Sequence, residues 1–224
     1  RILDMGVYLL LAAIIGSRLL YVIVNIQEFR QKPLDIFAIW KGGLVFYGGL
    51  IGAVAVGIWY VRKHDLPLWK VGDMFAPFVA LGHVFGRLGC FFAGCCYGAP
   101  CSSSVCITFT DPHTLAPLGV ALYPTQLFEA GGELMNFVLL ATLYRFKQFD
   151  GQIFWLYPAL YSILRFVVEF FRGDAARGLF FGGAISTSQI IAVLVFVASL
   201  FMLWWLGRKH TPVTEQAKSE KNKT

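Results

Sequence analysis

Charged residues are scarce in this sequence: Asp, Glu, Lys and Arg together make up 14% of its 224 residues. A soluble domain usually carries about 25% charged residues. Hydrophobic residues make up 57%, and the mean hydropathy is +0.65. Too few polar groups are left to cover a folded chain in water. The composition therefore excludes a soluble globular protein and indicates an integral membrane protein.

The sequence also lacks an initial methionine, an opening signal-peptide pattern and an internal repeat of about 20–50 residues. We therefore expect an earlier membrane span ahead of residue 1. The net charge of +6 does not require a nucleic-acid partner. Most basic residues lie at segment ends and in the tail, where membrane topology and lipid headgroups account for them.

Six hydrophobic segments of roughly 20 residues are each long enough to cross a hydrocarbon core of about 30 Å. Because lipid cannot hydrogen-bond backbone groups, all six are predicted to be helices, which gives an all-α polytopic membrane protein. The segments are residues 6–26, 43–62, 71–92, 122–144, 152–171 and 187–207. We predict one transmembrane domain over residues 1–207 and a basic, disordered cytoplasmic tail over residues 208–224.

Lys and Arg are divided unevenly between the two sides of the predicted membrane. One side has 11 and the other has 5, while three more lie inside segments. The richer side is predicted to be cytoplasmic, which places the C-terminus inside. Its residues are Arg1, Arg62, Lys63, Lys70, Arg145, Lys147, Arg208, Lys209, Lys218, Lys221 and Lys223.

Eight polar side chains inside the segments fall in the outer half of the predicted bilayer. Inserting a charged side chain at that depth costs at least about 2.5–3.5 kcal/mol, so each such residue is expected to have a structural or functional role. Their convergence predicts a polar cavity that opens toward the outer leaflet. The residues are Arg18, Tyr47, Arg87, Gln126, Glu129, Arg165, Glu169 and Gln189.

Buried arginines near the outer headgroups favour an anionic lipid ligand, because a guanidinium donates two parallel hydrogen bonds to phosphate. Structural roles remain open for each. Arg165 and Glu169 are four apart and can form a helix-locking ion pair. Arg87 can bond Glu129 or backbone carbonyls. Arg18 can be structural or reach the interface.

For three other polar residues, both a structural and a functional interpretation are open. Tyr47 lies between two glycine pairs and is either an interfacial anchor or a headgroup contact. His83 lies four before Arg87 and is more often a packed residue at such a position. Glu133 lies four after Glu129 and fits a helix–helix contact.

Five cysteines are Cys90, Cys95, Cys96, Cys101 and Cys106. Their spacing lacks the closely spaced pairs that are usual in structural zinc sites. Their predicted position on the outer, oxidising side favours one or two disulfides, involving Cys101 and Cys106 first of all. Inert small residues, a metal site and a catalytic thiol remain as alternatives. An odd count leaves at least one free thiol.

Several motifs follow one another along the chain in the order and spacing of a known family. Residues 86–98, GRLGCFFAGCCYG, are similar to the signature G-R-x-G-N-F-x-N-G-E-x-x-G. Residues 165–172, RFVVEFFR, are similar to R-x-x-x-E-x-x-R. Weaker matches are residues 16–25, residues 42–52, residues 123–129 and Ser188-Gln189. With these motifs the chain resembles the bacterial prolipoprotein diacylglyceryl transferases.

The resemblance implies a seven-helix enzyme of the bacterial inner membrane, with its active site toward the periplasmic leaflet. It implies transfer of the diacylglyceryl group from phosphatidylglycerol to the lipobox cysteine thiol of a prolipoprotein signal peptide. A thioether forms and glycerol phosphate leaves, with no metal or organic cofactor and no nucleic acid. The catalytic residues it implies are Arg87, Arg165, Glu169, Tyr47 and Glu129. The phosphatidylglycerol-binding residues it implies are Arg87, Arg165, Tyr21, Gly98, Gln126 and Arg18.

The sequence departs from the family pattern at four positions. Tyr47 and Tyr123 stand where the family has histidine, Cys90 where it has asparagine, and Cys95 where it has glutamate. Which group takes the thiol proton therefore remains open between Tyr47, Glu129 and loss of the proton to water or to the leaving phosphate.

A different class of function is also compatible with buried arginines and an outward cavity, namely a transporter or translocator of an anionic lipid or solute. Against it, the polar groups gather in one leaflet, whereas alternating access places its site near the midplane. A structural subunit that binds headgroups without turnover is a third possibility.

Overall fold

Six long helices make up most of the described residues of this computed structural model, which are 2–38, 40, 42–173, 179–180 and 185–209. A short helix, α2, follows the first of them. The helices are α1 (Ile2–Val24), α2 (Ile26–Gln31), α3 (Phe46–Lys63), α4 (Leu68–Ala93), α5 (Thr125–Leu143), α6 (Gln152–Glu169) and α7 (Thr187–Lys209).

Short segments of other structure connect these helices. Strand β1 (Ile107–Thr108) pairs antiparallel with β2 (Ala121–Leu122), with Ile107 opposite Leu122. Strand β3 (Leu179–Phe180) pairs antiparallel with β4 (Ile185–Ser186). Turns of 3-10 helix lie at Pro33–Phe37 and Tyr144–Phe146.

The chain divides into two compact units, residues 1–71 and 72–224. In the first unit, α1 packs along α3 through glycines. A Cβ atom on Gly16 would collide with the Gly48 carbonyl oxygen, and one on Gly52 would lie 2.6 Å from the Ala12 carbonyl oxygen. Close backbone approach through small residues is the usual way that helices associate in lipid.

The second unit has its apolar core where α4, α5 and α6 meet. Ala76 and Ala80 of α4 contact Leu140 of α5 and Ile153 of α6, and all four are buried. On α5, the absence of a side chain at Gly132 lets Leu164 of α6 pack against the backbone. These contacts fix the three helices that carry most of the polar site described below.

A buried carboxylate ties the start of α4 to the loop before α6. Asp73 is 0% exposed and accepts hydrogen bonds from Lys147 Nζ (2.9 Å), Gly151 N (2.8 Å) and Phe154 N (2.9 Å). Burial acts to lower the pKa of Lys147, but hydrogen bonds to Asp150 and Asp73 outweigh it and raise that pKa. The lysine therefore stays charged and offsets the buried carboxylate.

Helix α7 begins with a reciprocal pair of capping hydrogen bonds. The Gln189 backbone N–H donates to Ser186 Oγ (3.2 Å), and the Ser186 backbone N–H donates to Gln189 Oε1 (3.0 Å). This capping box satisfies two backbone donors that a helix start leaves without partners. It also fixes the position of Ser188 in the first turn.

The structure confirms that each of the six predicted hydrophobic segments forms a helix. Within the described part of the chain, three helices are long and apolar enough to cross a membrane by themselves, namely Leu3–Val24, Leu68–Ala93 and Thr187–Lys209. Most of the predicted tail, residues 210–224, lies outside the described residues.

Candidate active site

Helix α5 has a buried polar face. Gln126, Glu129, Glu133 and Asn136 recur at helical spacing, and none is more than 5% exposed. These four amide and carboxylate side chains need hydrogen-bond or ionic partners, because leaving a buried polar group unpaired costs folding free energy. Glu129 and Glu133 face side chains of α4 and α6. Gln126 instead donates to a carbonyl just after α4, and Asn136 donates to Glu133 Oε1 within α5 (3.4 Å).

Helix α6 contributes side chains four residues apart, which therefore share one face. They are Tyr157, Tyr161, Arg165 and Glu169. Arg165 Nη2 lies 2.8 Å from Glu169 Oε2, so the ion pair expected from the sequence is present. The same Nη2 donates to Ser188 Oγ of α7 at 3.2 Å. The arginine is thereby fixed between two helices.

Glu129 lies between two arginines from different helices. Its Oε1 is 2.8 Å from Arg87 Nη2, and its Oε2 is 3.8 Å from Arg165 Nη1. The pairing of Arg87 with Glu129 was one of the two structural alternatives raised by the sequence. A single carboxylate thus brings both guanidinium groups to one place in the second unit.

The two guanidinium groups are not fully used by the contacts within the cluster. Arg165 Nη1 is buried and makes no hydrogen bond among the described residues. Arg87 and Arg165 are 15% and 14% exposed, so part of each side chain remains accessible. A pair of guanidinium groups is chemically suited to an anion that accepts two or more hydrogen bonds.

His83 lies on the same side of α4 as Arg87. Arg87 Nε donates to His83 Nε2 at 3.4 Å, and the Tyr157 hydroxyl lies 3.5 Å from His83 Nδ1. The histidine is also 3.9 Å from both Glu129 Oε1 and Glu133 Oε1. It is a packed member of the polar cluster with several neighbours, rather than an isolated residue.

A glycine at the end of α4 folds the chain back over the helix. Gly94 has φ +68°, its N–H donates to the Phe91 carbonyl (3.1 Å), and the Cys95 N–H donates to the Cys90 carbonyl (3.1 Å). This pair of bonds around a left-handed glycine is a common helix C-cap. It brings Cys95 beside Cys90, although they are five residues apart.

The sulfur atoms of Cys90, Cys95 and Cys96 all lie within 4.8 Å of one another. The two carbonyls of this turn are held by the start of α5, since Gln126 Nε2 donates to the Cys95 carbonyl (2.7 Å) and Thr125 Oγ1 to the Cys96 carbonyl (2.8 Å). Burial, with added effects of Cys90 and Cys96, raises the pKa of the Cys95 thiol to about 12. Cys95 is therefore a neutral thiol near neutral pH.

Cys101 and Cys106 form a disulfide with each other, which confirms the prediction that these two cysteines take part in disulfide bonding; the sequence left their pairing open. Cys90, Cys95 and Cys96 are free. The disulfide closes a short loop before β1 and lies apart in sequence from the cluster of three thiols.

Gly98, expected to bind substrate, lies where three backbone segments meet. Its N–H donates to the Tyr123 carbonyl (2.9 Å), and it forms an antiparallel bridge with Arg172. A Cβ atom at Gly98 would collide with Tyr123 and would lie 2.7 Å from the Phe171 carbonyl oxygen. Close packing accounts for glycine at this position.

Three expected site residues belong to the first unit. Arg18 is 7% exposed and donates to backbone carbonyls, including Gly42 (2.7 Å) and Ile36 (2.9 Å). This geometry favours its structural alternative. Tyr21 packs against Gly43, where no Cβ could fit. Tyr47 is 66% exposed in the first turn of α3.

Helical spacing could have revealed further members of the cluster. Tyr157 and Tyr161 precede Arg165 at steps of four on α6, and Tyr161 donates to Glu129 Oε1 at 3.3 Å. Ser188 is adjacent to Gln189 at a helix start. In the sequence these residues are recognisable only as parts of hydrophobic segments or motifs.

Apolar helices long enough to cross a membrane and a buried arginine–carboxylate cluster define a multi-pass membrane protein. A family model described as prolipoprotein diacylglyceryl transferase matches residues 1–205, so the chain belongs to that family.

Curated relatives of that family are similar in sequence to this chain over most of their own length. A phosphatidylglycerol–prolipoprotein diacylglyceryl transferase of Clostridium tetani is 33% identical over 202 residues, which is 90% of this chain and 79% of the relative. One from Hydrogenovibrio crunogenus is 36% identical over 214 residues, covering 94% and 79%. One from Finegoldia magna is 36% identical over 202 residues, covering 90% and 77%. These relatives lend no support to the transporter alternative.

Proposed function

We propose that this chain transfers the diacylglyceryl group of phosphatidylglycerol to the cysteine thiol of a prolipoprotein. The single observation that supports this role in the structure is the pair of arginines, Arg87 and Arg165, gathered by Glu129. The thiol sulfur forms a bond to the glyceryl carbon, and the bond from that carbon to the phosphate oxygen breaks. Glycerol phosphate leaves with the electron pair, and the thiol proton goes to solvent or to the phosphate.

Arg87 and Arg165 are proposed to hold the phosphate as charge builds on its oxygens. Donors that are fixed before reaction stabilise such charge without reorganisation. Glu169 and Ser188 orient Arg165, and Glu129 orients both arginines. Gln126 is proposed to contribute indirectly, by holding the Cys95 carbonyl in place. Gly98 is proposed to contribute by permitting the close backbone packing described above.

Tyr47 is proposed to hydrogen-bond the lipid headgroup or to relay a proton. Its exposed hydroxyl is compatible with contact to a lipid or peptide. Arg18 is proposed to hold residues 35–38 and 42–43 in place for Tyr21 and the start of α3. Residues 1–207 are proposed to serve one catalytic domain that includes both units.

The six long helices are proposed to cross the bacterial inner membrane, with the arginine site in a cavity that opens to the periplasmic leaflet. The excess of Lys and Arg on one predicted side supports a cytoplasmic C-terminus. A cysteine-containing lipobox in the signal peptide is the proposed acceptor, and the Cys101–Cys106 disulfide is compatible with an oxidising compartment on the side of its loop.

The experiment is transfer of labelled diacylglyceryl from phosphatidylglycerol to a lipobox peptide by the full chain purified in detergent. We expect a lipidated cysteine peptide by mass spectrometry, no product with a serine peptide, and a loss of about 10²–10³-fold in rate for Arg87→Ala. Arg145→Ala is the matched control, because Arg145 is exposed in the loop after α5. No product from the folded, unmodified chain would reject the function. Full activity of Arg87→Ala would reject the phosphate role.

A further inference from the structure

The thiols of Cys90, Cys95 and Cys96 have a geometry that the transfer chemistry above leaves without a role. All three sulfur atoms lie within 4.8 Å of one another. A zinc ion about 2.3 Å from three sulfurs in tetrahedral geometry holds them about 3.8 Å apart. Small side-chain rotations are therefore sufficient to turn this cluster into a three-sulfur site, and soft sulfur ligands favour Zn²⁺ over Mg²⁺ or Ca²⁺.

The number of ligands decides which kind of metal site this is. No fourth His, Cys, Asp or Glu joins the three cysteines in the part of the chain that the structure describes. Structural zinc sites have four protein ligands, whereas catalytic zinc sites have three and leave the fourth position to water or substrate. All three cysteines are only partly buried, so one face of the cluster is accessible.

The backbone around the thiols is fixed from outside the cluster. The turn at Gly94 places Cys95 beside Cys90, and Gln126 and Thr125 of α5 hold the Cys95 and Cys96 carbonyls. These hydrogen bonds use backbone oxygens and not the sulfur atoms. Cys95 Sγ itself donates a weak hydrogen bond to the Cys90 carbonyl (3.6 Å), which coordination of a metal would replace. Outer contacts of this kind orient metal ligands and are part of a working site.

The charges around the three cysteines are also compatible with a bound zinc ion. Three thiolates and one Zn²⁺ carry a net charge of −1, and Arg87 lies three residues before Cys90 on α4, so the two side chains share one face of that helix. A phosphate held by Arg87 would therefore be next to the cluster. This arrangement places the leaving group of the lipid and the sulfur site on one side of α4.

We propose that Cys90, Cys95 and Cys96 bind Zn²⁺ and that the fourth position of the ion receives the thiol of the acceptor cysteine. This inference rests on the proposed transfer reaction and replaces the expectation of a metal-free enzyme. A thiol that coordinates zinc is deprotonated, and its proton passes to water. The bound sulfur then attacks the glyceryl carbon, the carbon–oxygen bond to phosphate breaks, and glycerol phosphate leaves with the electron pair. No oxidant or reductant is needed.

The test begins with metal content, measured by mass spectrometry on the full chain purified in detergent without a histidine tag. We expect zinc in equimolar amount, and its loss in Cys90→Ser, Cys95→Ser and Cys96→Ser. The matched control is Cys101→Ser combined with Cys106→Ser, which removes the disulfide and should keep the zinc. Replacement of zinc by Co²⁺ should give thiolate-to-cobalt absorption that changes on addition of a cysteine peptide but not of a serine peptide.

Activity gives the second readout. Removal of the metal with a strong chelator should lower peptide lipidation at least about tenfold, and Zn²⁺ but not Mg²⁺ should restore it. A metal-free chain with full, chelator-resistant activity would overturn this inference and leave the proposed function intact. A chain that binds zinc through the three cysteines but never lipidates the peptide would overturn the proposed function, and with it the assignment of the fourth position to the acceptor thiol.

Discussion

Oε1 of Glu129 lies 2.8 Å from Nη2 of Arg87, and this carboxylate is 1% exposed. Its other oxygen is 3.8 Å from Nη1 of Arg165. Without the carboxylate, two positive charges from α4 and α6 would face each other in a buried place. Glu129 is therefore the residue that permits the two arginines to share a site.

Glu129→Gln should impair both folding stability and transfer. The amide keeps the shape of the side chain but removes the charge between the arginines. Loss of one partner of a buried pair costs about 3–5 kcal/mol, and the displaced guanidinium groups should lower transfer at least about tenfold. Thermal unfolding in detergent and peptide lipidation measure the two effects.

Glu133→Gln is the control for that prediction, because Glu133 is buried one turn further along α5 and forms no ion pair with an arginine among the described residues. It should lose much less activity than Glu129→Gln. Equal loss in both variants would indicate a general packing defect of α5, and the gathering role of Glu129 would have to be abandoned.

The helices were predictable from the sequence because the physical requirement is strong. A backbone in lipid must satisfy its own hydrogen bonds, so each apolar segment of about 20 residues has to be helical. The α6 ion pair was predictable too, since residues four apart share a helix face. Arg165 and Glu169 form that pair in the structure.

The cluster of three thiols was not predictable from spacing alone. Cys90 belongs to a helix and Cys95 to the following loop, and only the reversal at Gly94 brings them together. Likewise, Glu129 could pair with an arginine on any neighbouring helix, because sequence does not give the rotation of one helix against another. These relations depend on tertiary contacts between distant residues.

Tyr47→Phe should lower transfer about tenfold with unchanged thermal stability, because the substitution removes one hydroxyl from a side chain that is 66% exposed. A hydroxyl that contacts the headgroup or relays a proton is lost, while the ring and its packing on Phe46 are kept. Tyr8→Phe on α1 serves as the control, since Tyr8 is 49% exposed and has no proposed role. If the unmodified chain, Tyr47→Phe and Tyr8→Phe all transferred the diacylglyceryl group at equal rates, Tyr47 would serve only as an interfacial anchor.

Asp73→Asn should destabilise the second unit by about 3 kcal/mol, because it removes a buried charge that accepts from Lys147 and from two backbone N–H groups. The midpoint of thermal unfolding in detergent measures this loss. Asp150→Asn removes the other partner of Lys147 but is partly exposed, and it should cost less than about 1 kcal/mol. If Asp150→Asn proved as damaging as Asp73→Asn, Lys147 rather than Asp73 would be the centre of this contact.

Gly98→Ala distinguishes close packing from substrate contact as the reason for glycine at this position. An added Cβ would collide with Tyr123 and crowd the Phe171 carbonyl, so the variant should lose about 1–3 kcal/mol of stability and should lose activity only in parallel with folded protein. Gly131→Ala is the matched control, because nothing lies within 4 Å of a Cβ there and alanine favours the helix by up to about 1 kcal/mol. Thermal unfolding and lipidation per folded molecule are measured for both variants. A fully stable Gly98→Ala chain with weakened use of phosphatidylglycerol would instead place Gly98 in contact with the lipid, because only a bound substrate would then meet the added methyl group.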